Sequence, residues 1–121
     1  MPKILLVEDN EASADALARR LERRNFSVVI APDGHQAVSL ARSTQPDLVI
    51  MDLGLPGIDG WDATAIIKAD VDTRHIPIIV LTAKELTVQE RERLSGQIDS
   101  LLQKGSFMDE ELLQAIVDKL K

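Results

Sequence analysis

The sequence predicts an α/β fold: a doubly wound, five-stranded parallel sheet in the order 2-1-3-4-5, wrapped by five helices. Short, largely apolar runs without alternation recur at Ile4–Val7, Val28–Ile30, Leu48–Met51, Ile78–Leu81 and Ser100–Gln103. Runs of that kind suit strands covered on both faces. Each is followed by helical spacing, and strict strand–helix alternation calls for parallel pairing with right-handed crossovers. No linker, repeat or low-complexity segment breaks the pattern, so residues 1–121 read as one domain.

Taken in order, Ile4–Val7 is closed by Glu8-Asp9-Asn10, and Asn10 is suited to cap the first helix. There Ala14, Leu17, Ala18 and Leu21 form an inward face, with Ala12, Ala16, Arg19 and Arg23 opposite. Val28–Ile30 ends in Pro32-Asp33-Gly34, and a helix over about 36–43 turns Ala37, Leu40 and Ala41 inward. Leu48–Met51 runs into Asp52 and then a turn built from Gly54, Pro56 and Gly57. Asp59-Gly60 opens a third helix, whose apolar members include Trp61, Ala65, Ile66 and Ala69. Pro77 precedes Ile78–Leu81, which hands over to Thr82-Ala83-Lys84. Thr87 and Glu90 have capping-box spacing for a charged fourth helix, interrupted at Ser95-Gly96. Ser100–Gln103 ends in Lys104-Gly105, and Leu112, Leu113, Ile116, Val117 and Leu120 stripe a last helix over Asp109–Leu120.

The totals narrow the function. A formal net charge of −6 argues against nucleic acid or an anionic membrane as a partner. There is no cysteine, which rules out a disulfide framework or thiolate metal site and fits the cytoplasm. No apolar stretch reaches membrane-spanning length, and Met1-Pro2-Lys3 leads into a run too short for a secretion signal. Phe26, Trp61 and Phe107 are the aromatics, too few for base stacking or a flavin sandwich. His35 and His75 read as surface residues and have no partner at zinc-ligand spacing.

Open α/β sheets bind ligands at the carboxyl ends of their strands. Those ends carry Glu8 and Asp9, Asp52, Thr82 and Lys104, and in the order 2-1-3-4-5 the four strands are neighbours. Taken singly, Glu8 and Asp9 suit a helix start, Asp52 an Asx turn, Thr82 a cap and Lys104 solvated surface. Their convergence favours one site. Clustered carboxylates repel unless a cation intervenes, and an all-oxygen donor set selects a hard divalent ion, magnesium first. A carboxylate beside such an ion can attack phosphorus to give an aspartyl phosphate, with a hydroxyl and an ammonium to stabilise the phosphoryl oxygens.

On these residues the chain resembles a receiver domain of two-component response regulators, over essentially its whole length. The family's Asp-x-x-Leu-Pro-Gly-x-Asp-Gly signature stands as Asp52 to Gly60, and its Leu-Thr-Ala as Leu81-Thr82-Ala83. The resemblance implies a flavodoxin-like fold and Asp52 as phosphoacceptor. It implies magnesium, or manganese, held by Glu8, Asp9, Asp52 and the backbone carbonyl of Gly54, with Glu8 acting through water. Thr82 and Lys104 would contact the phosphoryl group. A histidine kinase or histidine phosphotransfer protein would dock on the Ala12, Ala16, Arg19, Arg23 face, and an unnamed protein would receive the output. Such a module catalyses only its own phosphorylation and dephosphorylation.

The sequence departs from the family in two places. Gly105 replaces the proline that usually follows the lysine, and Leu101 stands where the switch aromatic is expected. Those departures suit a competing reading, a phosphorylation-independent interaction domain. A magnesium-dependent phosphohydrolase is the third class, but glycine at position 54 denies it a second acid near the nucleophile. Met1 suits a free-standing regulator, whereas the 84–107 stretch resembles receivers within multidomain sensor kinases.

Overall fold

The computed structural model describes residues 1–53, 60–82, 86–94, 98, 100–103 and 108–120. Strands β1 (Lys3–Val7), β2 (Ser27–Ala31), β3 (Leu48–Asp52), β4 (Ile78–Thr82) and β5 (Ser100–Gln103) alternate with helices. The helices are α1 (Glu11–Arg23), α2 (Gly34–Thr44), α3 (Gly60–Ala69), α4 (Val88–Leu94) and α5 (Met108–Leu120). Every strand pair is parallel and the sheet order is β2-β1-β3-β4-β5, the flavodoxin-like arrangement that the alternation predicts.

The strands lack alternation because successive residues feed two cores. Ile4 and Leu6 of β1, Leu48 and Ile50 of β3, and Ile79 and Leu81 of β4 join Ala14, Ala18 and Leu21 of α1 and Leu112 and Ile116 of α5. Leu5, Val7, Val49, Met51, Ile78 and Val80 enter the other cluster, with Ala37 and Ala41 of α2, Trp61, Ala63 and Ile67 of α3, and Leu94 of α4. Each fully buried aliphatic side chain contributes about 1.5–3 kcal/mol relative to exposure. β2 forms an edge, and Ile30 on it is 36% exposed.

Side chains close the helix ends. Asn10 Oδ1 accepts the Ser13 N–H at 2.9 Å at the start of α1, and Asp33 Oδ1 accepts the Gln36 N–H at 2.8 Å at the start of α2. The predicted capping box is complete. Thr87 Oγ1 accepts from the Glu90 N–H at 3.1 Å, and Glu90 Oε1 accepts from the Thr87 N–H at 3.0 Å. Caps of this type contribute about 1 kcal/mol each. Asp33 also explains why α2 begins at Gly34, ahead of the predicted residue 36: it is a cap as well as a turn residue.

In two helices the buried residues are not simply the apolar ones. In α3 the buried side is Trp61, Ala63, Thr64 and Ile67, while Ile66 is 37% exposed and Ala69 lies outside. Apolar residues surround α3, so its spacing does not single out a stripe. In α5, Leu112 and Ile116 are buried and Val117 is exposed, because a helix resting on a flat sheet covers a narrower arc than its apolar letters offer.

Candidate functional site

Strand register assembles the acid cluster. β1 and β3 pair as Ile4 with Leu48, Leu6 with Ile50 and Val7 with Met51, which sets Glu8 level with Asp52. Side chains alternate across a strand, so Glu8 follows Ile4 and Leu6, and Asp52 follows Leu48 and Ile50, onto the face that carries α1 and α5. The Glu8, Asp9 and Asp52 carboxylates each place an oxygen within 4.8 Å of the others. Glu8 is buried at 8% exposure, Asp52 is half-buried and Asp9 is exposed, so the cluster opens to solvent on one side. Glu8 Oε1 accepts the backbone N–H of Asn10 at 3.1 Å. That bond bends the Glu8 side chain back over the β1–α1 turn, and residue type alone does not show it.

The donor set fits a hard divalent ion. Three carboxylates offer oxygen alone, with no nitrogen or sulfur to favour zinc or copper. Two oxygens bound directly to one magnesium ion stand at most about 4.2 Å apart, since each bond is about 2.1 Å. A spread reaching 4.8 Å leaves room for one carboxylate to reach the ion through water. Gly54 and Lys104 lie outside the described residues, as does the side chain of Thr82. The β4 backbone ends at Thr82, in register with Gln103, the residue before Lys104. Thr82 is thus one step along β4 from Leu81, which pairs with Asp52.

The remaining candidate positions are divided between surface and core. Ala12, Ala16, Arg19 and Arg23 are all exposed on the outward side of α1. Leu101 is half-buried on β5 against the cluster shared with α2, α3 and α4. Asp47 Oδ2 accepts the Lys3 N–H at 2.7 Å, a structural tie at the opposite end of the sheet. His35 and His75 are exposed. A groove of about 260 Å³ between α1 and α5 is lined by Leu17, Leu21, Leu112 and Leu113 with Arg20, Arg23 and Arg24, so Arg23 borders it as well as the exposed face of α1, and none of the acids lines it.

Two contacts at the start of α3 are not visible in the sequence, although Gly60 itself stands in the signature. Gly60 is packed directly on the backbone of Asp52 and Leu53. The Arg93 guanidinium lies 5.0 Å from the centroid of the Trp61 ring, so a cation–π contact and a 3.5 Å pair with Asp62 tie α4 to the start of α3. No periodicity announces either one.

Comparison with known proteins agrees with this geometry. Residues 4–117 match the family model of the response regulator receiver domain. The chain is 36% identical to Protein PilH of Pseudomonas aeruginosa over 97 residues, covering 80% of this chain and 78% of that one. It is 33% identical over 105 residues to the polar-differentiation response regulator DivK of Brucella anthropi, covering 86% and 85%. Among solved structures, the receiver domain of sensor histidine kinase PA1611 from Pseudomonas aeruginosa has a TM-score of 0.84 and 34% identity, with 98% of this chain and 96% of that one aligned. That structure has a magnesium ion coordinated in its active site cleft. No helix among the described residues is long and apolar enough to cross a membrane. The chain belongs to the family of response regulator receiver domains.

Proposed function

We propose that residues 1–121 form one receiver unit that accepts a phosphoryl group on Asp52 in a magnesium-dependent reaction and thereby changes its protein contacts. The observation that carries this reading is the meeting of Glu8, Asp9 and Asp52 within 4.8 Å at the carboxyl edge of the sheet. An Asp52 carboxylate oxygen attacks phosphorus, the bond from phosphorus to the donor's nitrogen or oxygen breaks, and its electron pair leaves with the donor. Glu8 and Asp9 would hold the metal with Asp52 and, by resemblance, the Gly54 carbonyl. The metal, when bound, supplies positive charge to the phosphoryl oxygens and relieves carboxylate repulsion. Thr82 and Lys104 contact those oxygens in the same reading. Water later attacks the acyl phosphate and returns the free carboxylate, so the chain turns over nothing but its own modification.

The physiological donor in this reading is a histidine kinase or histidine phosphotransfer protein, which places the module in the cytoplasm. The donor docks on the exposed Ala12, Ala16, Arg19, Arg23 face, where two alanines leave a small apolar spot next to the acid rim. A second reading, an interaction domain that no longer switches, draws on Leu101. Its side chain is half-buried in the core and offers no ring to swing outward. Phosphate-affinity electrophoresis after incubation with acetyl phosphate separates the two. A retarded band for the wild type with magnesium, absent with EDTA or in Asp52→Asn, supports phosphoacceptance. An unretarded wild type favours the interaction domain.

A further inference from the structure

We propose that Gly60 is a positioning residue for Asp52: a hydrogen in place of a side chain lets the first turn of α3 seat on the acceptor's backbone and hold its carboxylate level with Glu8 and Asp9. The inference rests on the phosphoacceptor reading. A Cβ at residue 60 would stand 2.3 Å from the Asp52 carbonyl oxygen, 2.6 Å from Leu53 Cα and 3.0 Å from the Asp52 carbonyl carbon. All three are backbone atoms, so no side chain can rotate to make room. The Gly60 backbone is outside the left-handed region, so space, and not conformational freedom, dictates glycine here. Gly60 is buried, and its N–H donates to the Leu53 carbonyl at 3.3 Å, closing the contact.

What yields to an added methyl group follows from how each side is held. The start of α3 is pinned by Trp61, 9% exposed in the same cluster as Met51 and Leu53, with Arg93 over its ring. β3 is in register with both β1 and β4 as far as Met51, and beyond it the strand register continues on the β4 side, where Asp52 is level with Leu81. The Asp52–Leu53 peptide is therefore the softer side. Its oxygen must move from 2.3 Å to beyond 3.0 Å from the new Cβ, carrying the carboxylate with it. Metal ligation and in-line attack tolerate only a few tenths of an ångström, and a misplacement of about 1 Å costs about 100-fold in rate.

The test compares Gly60→Ala with Ile67→Val, a buried α3 residue in the core on the face of the sheet opposite the acids. Magnesium affinity is read from backbone amide NMR shifts at residues 8, 9 and 52, alongside acetyl phosphate labelling rate and thermal midpoint. The expected result is about tenfold or greater loss of magnesium affinity and labelling rate in Gly60→Ala, with Ile67→Val losing thermal stability alone. Wild-type affinity and rate in Gly60→Ala, or equal losses in both variants, would overturn the assignment. Should Gly60→Ala fail to fold, the wild type still decides. Its Gly60 amide must shift on the same magnesium binding curve as the Asp52 amide, and an unmoved Gly60 amide overturns the role. A wild type that neither binds magnesium nor takes the label removes the phosphoacceptor reading itself, and the positioning role with it.

Discussion

Replacing Asp9 by asparagine should stabilise the metal-free protein and blunt its response to magnesium. Asp9 contributes two of the three carboxylate pairs, each within 4.8 Å. At that distance a like-charge pair costs about 0.9 kcal/mol in water and about 3.5 kcal/mol at an effective dielectric of 20. Asp9 is exposed, so the water limit applies, and its two pairs together cost about 1.7 kcal/mol. Against this stands the attraction of an anion to the start of α1, about 0.3–1 kcal/mol. Repulsion wins, leaving a net gain of about 1 kcal/mol for Asp9→Asn, a rise of roughly 3–5 °C in midpoint for a chain of this size. Magnesium at a hundredfold excess over its dissociation constant adds about 2.7 kcal/mol to the wild type. A tenfold weaker site gains only about 1.4 kcal/mol, which erases the variant's lead. Urea unfolding at low salt, with EDTA and then with magnesium, reads both effects. An Asp9→Asn protein no more stable than wild type in EDTA, or one gaining equally from magnesium, would refute the electrostatic account of the cluster.

Three further outcomes follow from the structure. Thr64 is fully buried and its hydroxyl has no partner among the described residues, and threonine and valine have similar helix propensity, so Thr64→Val should raise stability by about 1 kcal/mol with an unchanged urea m-value; a lower midpoint would show the hydroxyl to be satisfied in solution. The Asp72 backbone N–H and the Arg42 guanidinium, 2.6 Å away, hold the Asp70 carboxyl below its ordinary pKa. A depressed folded-state value gives stability that is present above the unfolded pKa and lost as pH falls through the folded one, so Asp70→Asn should flatten the stability decline below about pH 4, and an unchanged acid limb would deny the link. Ala16→Glu should slow phosphotransfer from the cognate kinase while leaving labelling by acetyl phosphate intact, and equal loss with both donors would remove α1 as the docking face.

Much of this architecture is legible in the letters because two-sided burial leaves a plain mark. Ile4–Val7, Leu48–Met51 and Ile78–Leu81 are unalternating since odd and even residues fill different cores. The acids were legible for a related reason: each ends such a run, and strand order alone brings Glu8 and Asp9 beside Asp52. Pairwise contacts between elements were not. The buried face of α3 is set by where Gly60 lands on β3, and Ala65 and Ile66 look as suited to the core as Ala63 and Ile67 until that landing is known. Arg93 over Trp61 joins residues 32 positions apart on separate helices, and no spacing rule reaches across that interval. Val117 matches the stripe of α5 but lies beyond the arc that the sheet covers.

The central claim, that Asp52 takes a phosphoryl group in a metal-dependent step, is tested most directly by intact-protein and peptide mass spectrometry after incubation with acetyl phosphate. The account predicts one added phosphoryl mass, confined to the peptide containing Asp52, labile to alkali and hydroxylamine as an acyl phosphate is, and lost when magnesium is chelated. An unmodified Asp52 under saturating donor and magnesium, or a phosphoryl mass that persists in Asp52→Asn at the same rate, would contradict it.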